Sequence, residues 1–148
     1  MRYWLFAATA AILIAAPRDA AGQTKSARIT TRTGVYNLTQ ATRGQDVYAG
    51  YCKTCHTPQS HTGAVFNATW NGRTLFDLYA FIRDRMPKNE PGSLSDQEYV
   101  DVMSYLLRIN QMPAGRTELP SDSARLVSIR IQARTPIKVT KTTKGIAP

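Results

Sequence analysis

Cys52-Lys53-Thr54-Cys55-His56 constrains this chain more than any other stretch. Two thiols one helical turn apart, followed at once by an imidazole, put three ligand-forming groups on one side of a short turn. Cys-x-x-Cys-His is the spacing at which both thiols can form thioethers with the vinyl groups of a porphyrin while the histidine faces its iron. On this reading the haem is part of the core. It supplies a large apolar surface for side chains to pack on, so a modest stock of Leu, Ile and Phe need not mean marginal stability.

Three other uses of the motif have to be weighed. A thioredoxin-like dithiol sits at a strand-to-helix turn in a β-α-β pattern, and nothing of that kind surrounds residues 40–60. A tetrahedral zinc site would have to recruit both His56 and His61 beside the two thiols, at a spacing outside the usual zinc-finger arrangement. A disulfide across two intervening residues would close a short, strained loop and stabilise little. Cys52 and Cys55 are the only cysteines, which leaves none for a disulfide framework.

The chain has 148 residues, enough for one small domain once a leader is set aside. Met1-Arg2-Tyr3-Trp4, the apolar run Leu5 to Ala16 and Pro17-Arg18-Asp19 read as a secretory signal over residues 1–22, cut after Gly22. The run is short for a bilayer span, so no stable membrane insertion is expected after cleavage; a retained anchor is the alternative. Residues 23–36 read as a linker, 37–131 as the domain, and 132–148, with Arg134, Lys138, Lys141 and Lys144, as a solvated basic tail.

Net charge is +9, and loss of Arg2, Arg18 and Asp19 with the leader removes only one unit of it. Such a balance suits an acidic partner. Nucleic acid fits poorly, because the aromatic residues fall at helical core spacing and do not alternate with basic ones.

Within the domain, Ala41, Gly44, Val47 and Tyr48 recur at helical spacing from Thr39 to about Lys53, with Asn37 or Thr39 as the cap. Gly44 costs such a helix about 1 kcal/mol relative to Ala, so another backbone or side chain is expected close by. Thr74 and Asp77 form a capping box for a second helix running to about Arg85, whose face is Leu75, Leu78, Tyr79 and Ile82; Met86-Pro87 stops it. Ser95 and Glu98 form another box, stapled by Leu94 and Tyr99, for a third helix carrying Val102, Met103 and Leu106. Residues between His56 and Trp70 read as a Thr-, Gly-, Asn- and Ser-rich loop. The chain stays packed through Leu119, Leu126 and Ile129 to about Ile131. No Walker loop, dinucleotide fingerprint or internal repeat occurs.

An iron held by one histidine has a second axial position, and what fills it separates electron transfer from ligand chemistry. Met86 is the candidate: thirty residues after His56, at a helix-to-loop break whose backbone is set by Pro87. Met103 and Met112 lack a comparable turn, and a methionine is more often packing than ligand. His61, five residues from His56, would have to wrap round the porphyrin edge to reach the far side. Trp70, Arg73 and Tyr79 are candidate hydrogen-bond donors to the propionates, or else packed aromatics and a solvated charge.

Taken together, the attachment motif, Met86-Pro87 after a helix and the capped helix that follows resemble the single-haem class I c-type cytochromes from about Gln40 to Gly115. Trp70-Asn71-Gly72-Arg73-Thr74-Leu75, Pro91-Gly92-Ser93-Leu94 and Asn110-Gln111-Met112-Pro113-Ala114-Gly115 are similar to the bacterial cytochromes associated with pyrroloquinoline-quinone-dependent dehydrogenases. The resemblance implies an all-α cytochrome c fold, three to five helices round one haem c bound through Cys52 and Cys55, with the first and last helices crossing. It implies that Gly44 and Tyr48 meet Tyr105 there, with Val102 and Leu106 alongside. Thr57-Pro58 departs from the family, which usually has glycine after the histidine; Pro58 is taken as the carbonyl that accepts the His56 Nδ1 proton.

The implied function is that of a monomeric periplasmic one-electron carrier, not an enzyme, with His56 and Met86 as iron ligands. It would take electrons from a quinoprotein dehydrogenase, as a free protein or as that enzyme's cytochrome subunit, and pass them towards a terminal oxidase. The alternative is a haem enzyme or gas sensor with a labile sixth ligand.

Overall fold

The computed structural model describes residues 28–133, so the leader over 1–22 and the tail from 134 lie outside the described residues. Five α-helices make up the described chain: α1 (Leu38–Tyr51), α2 (Gly63–Trp70), α3 (Leu75–Arg85), α4 (Asp96–Ile109) and α5 (Ser123–Ser128). No strand occurs among the described residues, and two short 3-10 turns cover Thr31–Thr33 and Pro58–His61. The architecture is all-α, as expected of a small cytochrome c fold. No helix among the described residues is long and apolar enough to cross a membrane.

Capping explains where the three expected helices begin. The Asn37 side chain accepts from Gln40 N at 2.8 Å and starts α1, settling the choice between Asn37 and Thr39. Thr74 with Asp77 opens α3, and Ser95 with Glu98 opens α4, each as a complete reciprocal box.

The Thr74 backbone N–H, donated to Asp77 at 2.8 Å, holds that carboxyl below its usual range. A carboxyl depressed in the folded state stabilises fully above its unfolded pKa, about 3.9, and loses that contribution as pH falls through the folded value. Asp77→Ala is therefore expected to cost about 1 kcal/mol at pH 7 in urea denaturation. The gap to wild type should close in strong acid, and a gap constant down to pH 2 would show that the charge plays no part in the cap.

The crossing of α1 and α4 is the centre of the fold. Gly44 lies directly on the backbone of α4, where a Cβ would come within 1.8 Å of Asp101 O. That carbonyl is the neighbour the glycine requires, one turn before the expected Tyr105. The Tyr105 ring meets Tyr48 further along, at 5.2 Å between centroids. Arg43 closes the edge of the crossing with two hydrogen bonds to buried Asp101, at 2.9 and 3.1 Å, and two to Glu118.

Elsewhere the chain differs from expectation. The stretch read as a loop before Trp70 contains α2, and α5 follows the crossing helix, so α4 is not the last helix of the chain. Residues 29–36, expected as linker, are knitted in: Thr31 N donates to Arg130 O at 2.9 Å, and Arg130 N to Ile29 O at 3.0 Å. Buried Tyr36 donates its hydroxyl to Met112 O at 2.7 Å. Leu119, Leu126, Ile129 and Ile131 are all buried, so the chain does stay packed to Ile131, and Ala133 N still reaches Asn71 Oδ1 at 2.8 Å.

Candidate functional site

The end of α1 generates the site. Cys52 N and Lys53 N both donate to Tyr48 O, at 2.9 and 3.0 Å, and His56 N donates to Cys52 O at 2.9 Å. The motif is thus one more turn of helical chain, which brings Cys52, Cys55 and His56 round to the same side. All three line a cavity of about 400 Å³. Its other walls come from Phe66 and Trp70 of α2, Leu78, Phe81 and Ile82 of α3, and Val102 and Leu106 of α4. The lining is mostly apolar, which suits a planar hydrophobic group and keeps water from it.

Met86 stands on this cavity too. Its N–H caps α3 through Ile82 O at 2.8 Å, after which the backbone turns extended. Buried Tyr99 donates its hydroxyl to Met86 O at 3.2 Å, so the residue is held from α4 as well. Pro87, Lys88 and Asn89 continue along the cavity margin.

Of the residues singled out from sequence, Cys52, Cys55, His56, Met86 and Trp70 share this cavity, whereas Arg73 and Tyr79 stand outside its lining. The Tyr79 hydroxyl is committed to Asp96 Oδ1 at 2.6 Å, and burial with that bond pushes it up to about 12. That bond uses its one hydroxyl proton, and its ring faces Tyr99 and α4. Arg73 is exposed and lies over the Trp70 ring at 5.6 Å, a cation–π contact that braces Trp70 from outside.

Tyr48, expected at the helix crossing, and His61, weighed as a ligand, also line this cavity. Tyr48 is buried with no hydrogen-bond partner for its hydroxyl, which burial raises to about 12, with Cys52 and Tyr105 adding to the effect. His61 lines the same cavity, its ring 4.7 Å from that of His56 and edge-on to Tyr48 at 6.1 Å. Burial pushes the His61 imidazole below its ordinary value, and neighbouring His56 pushes the same way. Two imidazoles on opposite sides of one iron have ring centres roughly 6 Å apart, given metal–nitrogen bonds near 2 Å. At 4.7 Å, the His61 and His56 rings stand closer together than that.

The rival uses of the motif fare poorly against this geometry. Burial raises the Cys52 thiol, the opposite of the depressed thiol a dithiol oxidoreductase needs. Cys52 and Cys55 are not bonded to each other. Among the described residues no three His, Cys, Asp or Glu side chains are arranged to hold a metal between them, which removes the four-ligand zinc site. Two thiols, an imidazole and a thioether around one apolar space do fit a thioether-linked haem. The unpaired Tyr48 hydroxyl fits a site shaped for a further polar group.

Residues 39–106 match the family described as cytochrome c oxidase, cbb3-type, subunit III, a stretch that runs from α1 into α4 and includes both the attachment motif and Met86. No curated protein and no solved structure matches the chain.

Proposed function

We propose that this c-type cytochrome, whose haem c is held covalently through Cys52 and Cys55, is a periplasmic one-electron carrier with His56 and Met86 as axial ligands. When bound, the haem supplies reversible exchange between ferric and ferrous iron. The protein's own groups do the rest. Cys52 and Cys55 anchor the cofactor at the end of α1, and the His56 ring is offered from the same turn. Met86, gripped by Ile82 and Tyr99, presents a soft sulfur that favours ferrous iron. Leu78, Ile82, Val102 and Leu106 exclude water and disfavour the added charge of the ferric state.

The observation that carries this reading is that His56 and Met86, thirty residues apart, line one mostly apolar cavity. The ferric spectrum tests it: a carrier is low-spin, with a weak sulfur-to-iron charge-transfer band in the red. A high-spin ferric protein that binds carbon monoxide readily when reduced would instead support an enzyme or gas sensor.

A quinoprotein dehydrogenase is proposed as the electron donor and a terminal oxidase as the acceptor. The family match favours a second reading, in which the domain is a fixed component of a cbb3-type oxidase and not a free carrier. Co-purification with an oxidase decides for the second, and a monomer oxidised in free collision decides for the first.

The net charge of +9, with Lys88 on the cavity margin and exposed Lys53 beside Cys52, supports steering by an acidic partner. The bimolecular rate is expected to fall on the order of tenfold between 10 mM and 0.5 M salt, as the screening length shortens from about 30 Å to a few ångströms. A flat profile in stopped-flow measurements would count against basic steering.

A further inference from the structure

We propose that His61 is the positioning residue for His56: its ring accepts the imidazole N–H that His56 does not use for iron, the role the sequence assigned to the Pro58 carbonyl. This rests on His56 being the iron ligand. Such a ligand keeps one ring N–H, and the group that receives it fixes the ring plane and tunes the metal.

Three observations single out His61. Its ring centre is 4.7 Å from that of His56, at an interplanar angle of 57°. Rings joined by an N–H···N bond of about 2.9–3.0 Å have centres roughly 5 Å apart; the two rings are tilted and not bonded in this structure, but at this spacing a turn of either ring brings the nitrogens together. Second, the loop bearing His61 is clamped. Asn110, at the end of α4, donates Nδ2 to His61 O at 2.8 Å and to Leu106 O at 2.9 Å, and accepts from Gly63 N at 3.0 Å. One amide thereby ties the backbone on both sides of residue 62 to the helix that walls the cavity. Third, the ring is packed edge-on against Tyr48, with centroids 6.1 Å apart, so a second side chain limits its movement.

A neutral imidazole carries one acceptor nitrogen, which the His56 N–H can use. By drawing on the N–H of His56, His61 makes the iron-bound nitrogen a stronger donor and favours the ferric state. A side chain at this position, not the backbone, would then set part of the reduction potential.

The test uses the haem-loaded protein labelled with ¹⁵N and reduced to its diamagnetic ferrous form. The His56 ring protons should carry the large upfield shift of an iron-bound imidazole, and a nitrogen–nitrogen coupling should be seen between the His56 and His61 rings. His61→Phe, which keeps a ring and removes the acceptor, is expected to move the potential in the positive direction and to speed deuterium exchange of the His56 N–H at least tenfold. His61→Gln, which restores an acceptor oxygen, should return both towards wild type. An upfield-shifted His56 with no coupling to His61 overturns this inference alone. Absence of the upfield shift overturns the ligand assignment and this inference together. Equal shifts in potential for the Phe and Gln variants would mean that residue 61 matters only for packing, and would also overturn it.

Discussion

Gly44→Ala is expected to cost the protein about 3 kcal/mol and to expel part of the haem population during maturation, while Gly50→Ala in the same helix leaves stability unchanged or slightly raised. The two glycines differ only in what they face. A Cβ at Gly44 would stand 1.8 Å from Asp101 O and 2.3 Å from its carbonyl carbon, both backbone atoms inside a continuous helix that cannot swing aside. A Cβ at Gly50 would meet nothing within 4 Å, so alanine there brings its better helix propensity at no steric cost.

Relief of the Gly44 clash requires α1 and α4 to separate, and the separation is felt along the whole crossing. It lengthens the Arg43–Asp101 ion pair on one side of the contact and opens the Tyr48–Tyr105 ring pair on the other. Cys52 and His56 hang from the end of α1, so they would shift against Val102 and Leu106. Urea midpoints of the two alanine variants, with the yield of covalent haem, measure both effects. Equal midpoints would show that the helix contact is softer than its geometry implies.

The second large effect is expected at Met86. Met86→Ala should abolish the red charge-transfer band and lower the reduction potential by on the order of 0.1–0.3 V, within the roughly 0.8 V range that axial ligands span. Covalent colour should survive acid-acetone extraction, since Cys52 and Cys55 are untouched. Cavity formation adds a stability loss of about 2–3 kcal/mol, the lower part of the range for methionine truncation, because Met86 is only partly buried. An unchanged band in the variant would remove Met86 as ligand and return attention to Met103 and Met112. Met103, fully buried on α4, lies outside the cavity lining, as does buried Met112.

How much of this could be read from the chain follows from how local each feature is. The attachment motif is contiguous, and α1, α3 and α4 each open on a side chain that caps its own helix, so adjacent residues carry the signal. α2 has no side-chain cap at Thr62 and starts at Gly63 with a φ of 62°, which is the pattern of a turn. Six residues of α5 are too few to establish a period. The pairing of residues 29–31 with 130–132 joins mainly backbone groups about a hundred positions apart, with one bond to the Thr31 hydroxyl, and leaves no periodic side-chain pattern.

Within the site, Met86 was legible because Pro87 marks a break in the chain. Tyr79 falls outside the cavity lining, because helical spacing shows that a residue is buried without showing which neighbour it faces. Leu78 and Ile82 of α3 look into the cavity while Tyr79 looks to Tyr99 and Asp96. The Tyr99 bond to the Met86 carbonyl and the Asn110 clamp are both contacts between distant segments, and neither type of residue advertises such a role.

The few bonds between residues 29–31 and 130–132 also decide how this domain can be joined to anything else. Chain enters and chain leaves at one seam, with Arg130 N on Ile29 O at 3.0 Å and Gln132 N on Thr31 Oγ1 at 3.0 Å. A folded unit with adjoining ends can be spliced into a surface loop of another protein, or have its own ends linked and be reopened elsewhere, without bending its helices. Whatever is attached before residue 28 or after residue 133 starts from the same corner, so both attachments share a single pivot.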